Sequence, residues 1–230
     1  MSRFLALALA ASTAIISTAA VAAPSPERVR GTVKAISGDT LTVHTTAGAD
    51  VSVALTGRTH YLEVAKSSLS HVDPGSYIGT ATKSVGNMLI ALEVVVFPPS
   101  MKGTGEGHYA WDRIQDTTLS GSTTTASSMT NGTVSTAAPA GGVKLASSTM
   151  TNGTVSSAGE AEGAKQITVT YQGGKQTVLV PPTAPVVTYE PGARSEVRPG
   201  KYVFVNGLSH DGKVTANAVA VGIDGVMPPM

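Results

Sequence analysis

Across residues 28–97, apolar and polar positions alternate in short runs, and each run stops at a turn signal. The stretch 28–36 (RVRGTVKAI) ends at Ser37-Gly38-Asp39, and Thr40–Thr45 (TLTVHT) leads to Ala47-Gly48. In 51–55 (VSVAL), Val51, Val53 and Leu55 fall on one side. A period of two between glycine-containing turns predicts half-buried strands joined as hairpins. Residues 66–72 read as a short helical or turn-like connector. Pro74-Gly75 forces a turn before a strand over 76–82. Gly86-Asn87 then turns into 88–97, where Ile90, Leu92, Val94 and Val96 share a face. Several short antiparallel strands in about 70 residues predict a small closed or nearly closed barrel, because closure removes exposed edges.

The same pattern returns later. HVDPGSYIGTATKSVGNMLIALEVVV (71–96) and EVRPGKYVFVNGLSHDGKVTANAVAV (196–221) align at a constant offset of 125. Val72, Pro74, Gly75, Tyr77, Ala91, Val94 and Val96 correspond to Val197, Pro199, Gly200, Tyr202, Ala216, Val219 and Val221. Upstream, Leu41-Thr42-Val43 matches Ile167-Thr168-Val169 with a one-residue slip. A whole domain is therefore repeated. The expected architecture is all-β: a first small barrel over 28–97 and a second over 150–223, with a tail at 224–230.

Between them, Pro98-Pro99 ends the first unit, since proline cannot continue a ladder. Residues 117–128 are nearly pure Ser, Thr and Gly, which predicts a polar linker over 98–149. Two features interrupt it. GEGHYAWD (105–112) holds the chain's one tryptophan, and MTNGTVS occurs at 129–135 and again at 150–156, 21 residues apart. Two units do not make an array, so this is a local tandem duplication. Gly153-Thr154-Val155 also aligns with Gly31-Thr32-Val33 of the first opening strand. The expectation is that the second copy opens the second barrel while Gly132–Val134 stays out of the sheet.

The N-terminus reads as an address. Arg3 precedes an uncharged Ala/Leu-rich run over 4–23, and Ala20-Val21-Ala22 is an A-x-A exit, so 1–22 is expected to be a secretory signal peptide. The chain has no cysteine, which closes off disulfides, thiol catalysis, Cys-zinc sites and an N-terminal lipid anchor on cysteine. Export without disulfides suits a bacterial periplasm or secretion from it. The 16 basic and 15 acidic residues become 15 of each once Arg3 is removed with the signal. Binding to phosphate backbones rests on excess positive charge, and aromatics are only 4%, so nucleic acid is not an expected partner. After signal cleavage no stretch is long and apolar enough for membrane insertion.

The repeat acts as an internal control on candidate chemistry. Positions shared by both copies are Val, Pro, Gly, Tyr and Ala, each with a structural reason in turn geometry or core filling. The histidines are not among them: His44, His60 and His71 face Thr170, Pro185 and Glu196. A metal site could draw on His60, His71 and Asp73, or on Glu106, His108 and Asp112, because imidazole and carboxylate are ordinary ligands. None has the helical i, i+4 spacing of a recognised motif, which favours isolated surface histidines. In GEGHYAWD, Tyr109 and Trp111 are expected to anchor the linker on a barrel or to line a ligand. Asn131-Gly132-Thr133 and Asn152-Gly153-Thr154 fit a glycosylation triplet, a short pattern that arises by chance. No nucleophile elbow or phosphate cradle is present. Catalysis would require paired carboxylates or a Ser–His contact assembled by the fold.

GEGHYAWD, MTNGTVS, ITVTYQGGKQTVLVPPTAPVVTYEPGARSEVRPG and the ending VGIDGVMPPM together resemble a group of exported proteobacterial proteins of unknown function. The first repeat resembles a widespread bacterial domain of small OB-like barrel fold. Members of the group are often labelled metal transporter permeases, but a permease needs several membrane spans and the mature chain offers none. A single MTNGTV-like segment is usual in the group, whereas this chain has two. The reading is two tandem small OB-like antiparallel barrels joined by a Ser/Thr/Gly-rich linker. The expected role is a non-catalytic binding or scaffolding module of the cell envelope, with an envelope protein or small ligand as partner and no cofactor. The alternative is a periplasmic metal-binding accessory protein using His60, His71, His108 and Asp112.

Overall fold

The structure, a computed structural model, describes residues 23–119, 123–140, 144–146, 158–160 and 163–228. The expected signal peptide and the second MTNGTVS copy lie outside the described residues. The described chain is all-β, with short 3-10 turns as its only helical elements. No helix among them is long and apolar enough to cross a membrane.

The first repeat supplies β1 (Ser25–Ser37), β2 (Thr40–Thr45), β3 (Asp50–Ala54), β4 (His60–Lys66), β5 (Tyr77–Val85) and β6 (Met88–Val96). Alternation sets their burial: Val29 and Val33 in β1, Leu41 and Val43 in β2, and Val53 in β3 all turn inward. The hairpin turns use Gly38 and Gly86 at positive φ, where an L side chain would be strained. Next come β7 (Gly107–Gln115), β8 (Thr124–Pro139) and a small separate hairpin of β9 (Lys144–Ala146) with β10 (Ala158–Glu160). The second repeat continues with β11 (Lys165–Tyr171), β12 (Gly174–Val180), β13 (Val186–Pro191), β14 (Tyr202–His210) and β15 (Lys213–Gly222).

The pairing departs from two barrels in tandem. Strand β1 pairs with β2, β2 with β3, β3 with β15, β15 with β14, and β14 returns to β1. A second circuit runs β8, β11, β12, β6, β5 and back to β8. Each circuit thus takes three strands from one repeat and the last two from the other. The expected boundaries 28–97 and 150–223 cut across both. Nor is the sheet wholly antiparallel, since β3–β15 and β6–β12 close their circuits in parallel.

The exchange is carried by β4 and β13. They pair antiparallel around Val64 and Tyr189, which occupy the same position in the two repeats. Each also extends the other repeat's sheet: β4 lies parallel to β15, with Tyr61 opposite Val219, and β13 lies parallel to β6, with Val186 opposite Val94. A connector folded back on its own repeat would forfeit these ladders, and unpaired buried backbone groups are costly. One core fills the first circuit (Val29, Val33, Leu41, Val43, Val53, Val205, Val219). Another fills the second (Val72, Ile78, Val94, Val134, Ile167, Val169, Val178). A third joins the two circuits, with Tyr77, Leu92, Phe97 and Met129 packed with Val64, Tyr189 and Phe204. Burying each such side chain stabilises by about 1.5–3 kcal/mol, so the junction is not a loose contact.

The linker expectation is overturned for much of 98–149. Residues 124–139 form a 16-residue strand that pairs with β5, β7 and β11. Threonine suits a pleated strand, and the hydroxyls find partners: Ser127 Oγ donates to Asp112 O, and Thr82 Oγ1 donates to Ser128 O. The assignment of MTNGTVS is overturned with it. The first copy lies in the sheet, with Gly132 opposite Ile78 and Thr133 opposite both Tyr77 and Thr170. This repeats the register of β1, where Gly31 faces Val203 and Thr32 faces Tyr202. Both glycines are required by close approach: a Cβ on Gly31 would run into the carbonyl of His44, and one on Gly132 into that of Thr170.

Candidate functional site

The GEGHYAWD segment leads into and forms the first part of β7, paired with β8, and its side chains reach in two directions. Toward the second circuit, His108 Nδ1 lies 2.8 Å from Thr130 Oγ1, and its ring stacks at 6.4 Å on Tyr171. Tyr109 donates its hydroxyl to Gly105 O and meets Trp111 edge-on at 5.9 Å. Burial raises the Tyr109 phenol pKa, with the Arg28 charge pulling the other way. Glu106 accepts from the Gln172 amide.

Toward the first circuit, Asp112 is clasped by two arginines of β1. Arg28 Nη1 donates to Oδ1 at 3.2 Å and Arg30 Nη1 to Oδ2 at 2.7 Å. The Arg28 guanidinium lies 3.8 Å over the Trp111 ring, and that of Arg30 lies 4.9 Å over Phe204. These cation–π stacks with a shared carboxylate fasten β7 across the junction. Tyr109 thus packs among Gly105, Asn131 and Trp111, and Trp111 lies against Arg28 of β1. The far end of β7 is fixed by Asp116, which accepts from Lys83 Nζ at 2.7 Å and from Thr118 Oγ1 at 2.7 Å. Burial disfavours the charged Asp116, but these hydrogen bonds outweigh it and hold the carboxyl below its usual range.

The metal candidates are not brought together. His60 is exposed on β4 opposite Ala218, His71 ends a 3-10 turn, His108 is engaged with Thr130, and both Asp112 oxygens are taken by arginine. Asp73 is exposed in the Pro74-Gly75 turn. Among the described residues no group of three His, Asp or Glu side chains is placed to hold a metal ion.

What the fold does assemble is a cleft of about 700 Å³ at the junction, lined from β1, β4, β6, β7, β8, β13, the turn after β2 and the C-terminal segment. Its charged side chains are Arg30, Lys66, Arg113 and Glu93. Ile114, Pro185, Val186, Val187, Val226 and Met227 make its apolar wall. Arg30 is the least satisfied of the cations: its Nε and Nη2 are buried without a hydrogen-bond partner among the described residues. Arg113 donates to the backbone carbonyl of Thr124, and neither it nor Lys66 forms an ion pair among the described residues. The cleft went unseen in the sequence because its residues come from eight separate segments with no shared spacing. The one available signal was negative, since Arg30, Lys66 and Glu93 stand where the other repeat has Asn131, Pro191 and Ala218.

Ser67, also at the cleft, lies 3.3 Å from His71 Nδ1. This is the Ser–His contact that catalysis would require. It lacks the third member of a working nucleophile, because no acid orients His71 among the described residues. Compared with protein-family models, curated proteins and solved structures, the chain has no match.

Proposed function

We propose that this chain is an exported, non-catalytic binding module of the bacterial cell envelope, built on two small OB-like barrels and related to the exported proteobacterial group it resembles. Each five-strand circuit has the strand count and closure of such a barrel. The signal-like residues 1–22 support export to the periplasm or beyond. The observation that carries the binding role is the junction cleft, whose volume lies within the range of small-molecule sites and whose walls mix apolar surface with a few convergent charges.

Two measurements test this. A serine-directed fluorophosphonate incubated with the mature protein is expected to leave Ser67 unmodified; a stoichiometric adduct there would make the protein a hydrolase. Metal analysis of the dialysed protein is expected to find no stoichiometric ion. A retained ion lost on His108→Ala would replace the proposal with the metal-binding alternative.

A further inference from the structure

We infer that the junction cleft takes a single-chain amphipathic carboxylate, its head among Arg30, Lys66 and Arg113 and its tail along Val186, Val187 and Met227. The inference rests on the binding role proposed above and names its ligand chemistry.

Charge argues for an anion. Three cations line the cleft against the single carboxylate of Glu93, an excess of two in a chain with almost no net charge. Two of the three, Lys66 and Arg113, form no ion pair among the described residues, so their charge is not consumed by the fold. Arg30 gives one nitrogen to Asp112 and leaves two buried donors without an acceptor. Those two donors are closed off from solvent, so Arg30 acts on an anion in the cleft through its charge, while the exposed Lys66 and Arg113 supply the donors a carboxylate can reach. Asp112 and Phe204 hold the guanidinium in place from two sides, so little side-chain freedom remains to be lost on binding.

The walls argue against a small hydrated anion. Valine, proline and methionine cover one side of the cleft, and no helix N-terminus among the described residues opens onto it to supply amide donors. Phosphate would strip its own hydration against apolar surface, whereas an alkyl tail gains with every methylene it buries there. A monoanion with a tail satisfies both the head and the wall.

The test is calorimetric titration of the mature protein with decanoate, decan-1-ol, decyltrimethylammonium and inorganic phosphate. Decanoate is expected to bind one to one, with the alcohol and the ammonium weaker by about tenfold or more, in keeping with the strength of charge-assisted hydrogen bonds. Arg113→Gln and Lys66→Gln, both at exposed strand positions, are expected to weaken decanoate several-fold while leaving the circular dichroism spectrum unchanged. Val186→Trp, which fills the cleft, is expected to abolish binding. If the alcohol binds as well as decanoate and Val186→Trp removes both, the carboxylate is wrong while the binding role stands. If phosphate alone binds, or competes fully with decanoate, the amphiphile is wrong. If none of the four binds, the inference and the cleft as the binding site fall together.

Discussion

The two strand circuits share a register yet differ in what their cross-strand pairs carry, and the pair at Arg30 shows it best. In the first, Arg30 lies opposite Phe204 and stacks on its ring; in the second, the same places hold Asn131 and Gly79. Asn131 is buried, donates to Gly105 O and Tyr109 Oη, and sits where a Cβ on Gly79 would be. One backbone geometry therefore carries a cation aimed at the junction in one copy and a small amide that holds β7 in the other. The shared positions build the frame, and the unshared ones carry its charge. A second difference lies in the opening hairpins. Strands β1 and β2 are joined by a tight turn at Gly38, whereas β8 and β11 are separated by a connection that contains β9, β10 and the second MTNGTVS.

The comparison breaks most sharply at the close backbone contacts. Gly31→Val and Gly132→Val are expected to cost at least about 3 kcal/mol each, by overpacking against a neighbouring strand's carbonyl. Urea midpoints that fall for one and not for the other would end the equivalence of the circuits. Asp116→Asn comes next, since only the second circuit has this ion pair; the first carries Leu208 where the second has Lys83. Loss of about 2 kcal/mol is expected at neutral pH, the scale of hydrogen bonds to a charged group. Because the folded carboxyl titrates below its unfolded value, this contribution is complete above the unfolded pKa of about 3.9 and fades as pH falls through the lower folded pKa. Parallel stability curves for wild type and variant down to strong acid would contradict it.

Gly79→Ala is a smaller perturbation, about 1–2 kcal/mol, since the added methyl meets the Asn131 side chain and the Phe97 ring. Asn131→Ala in the same chain is expected to recover part of that loss, and strict additivity in the cycle would show that the two residues do not compete for space. The smallest effect is expected from deleting 150–156. The first MTNGTVS already fills the sheet position, and shortening a long connection changes closure entropy by only a few tenths of a kcal/mol. A midpoint shift as large as that of Gly132→Val would return the structural role to the second copy.

Much of the strand set was legible. Thr40–Thr45 is found where alternation placed it, and the other hairpin strands differ by a few residues at their ends. Strand β8 was hidden because Ser and Thr lack the apolar period, although its backbone pairs with strands on both sides. The exchange was illegible for a deeper reason. Alternation says which face of β5 and β6 is buried but not which opening strands they bury it against, and β14 and β15 carry the same pattern. Two repeats with interchangeable faces leave that choice to the connectors β4 and β13, whose Leu62, Val64, Val187 and Tyr189 reward an extended crossing. Tyr109 and Trp111 stood out by their chemistry, while the arginines that clasp the neighbouring Asp112 are about 80 residues away in the chain.

The exchange also predicts an order of assembly. The second circuit uses strands from β5 to β12, all of which precede residue 181. The first pairs Ser25 with Ser209 and Val53 with Val214, so its opening strands must wait for the last ones made. Contacts of such long sequence separation close slowly, because chain entropy is spent before they form. A chain so arranged completes itself from the middle outward, and it stays open at both ends until its final strands arrive.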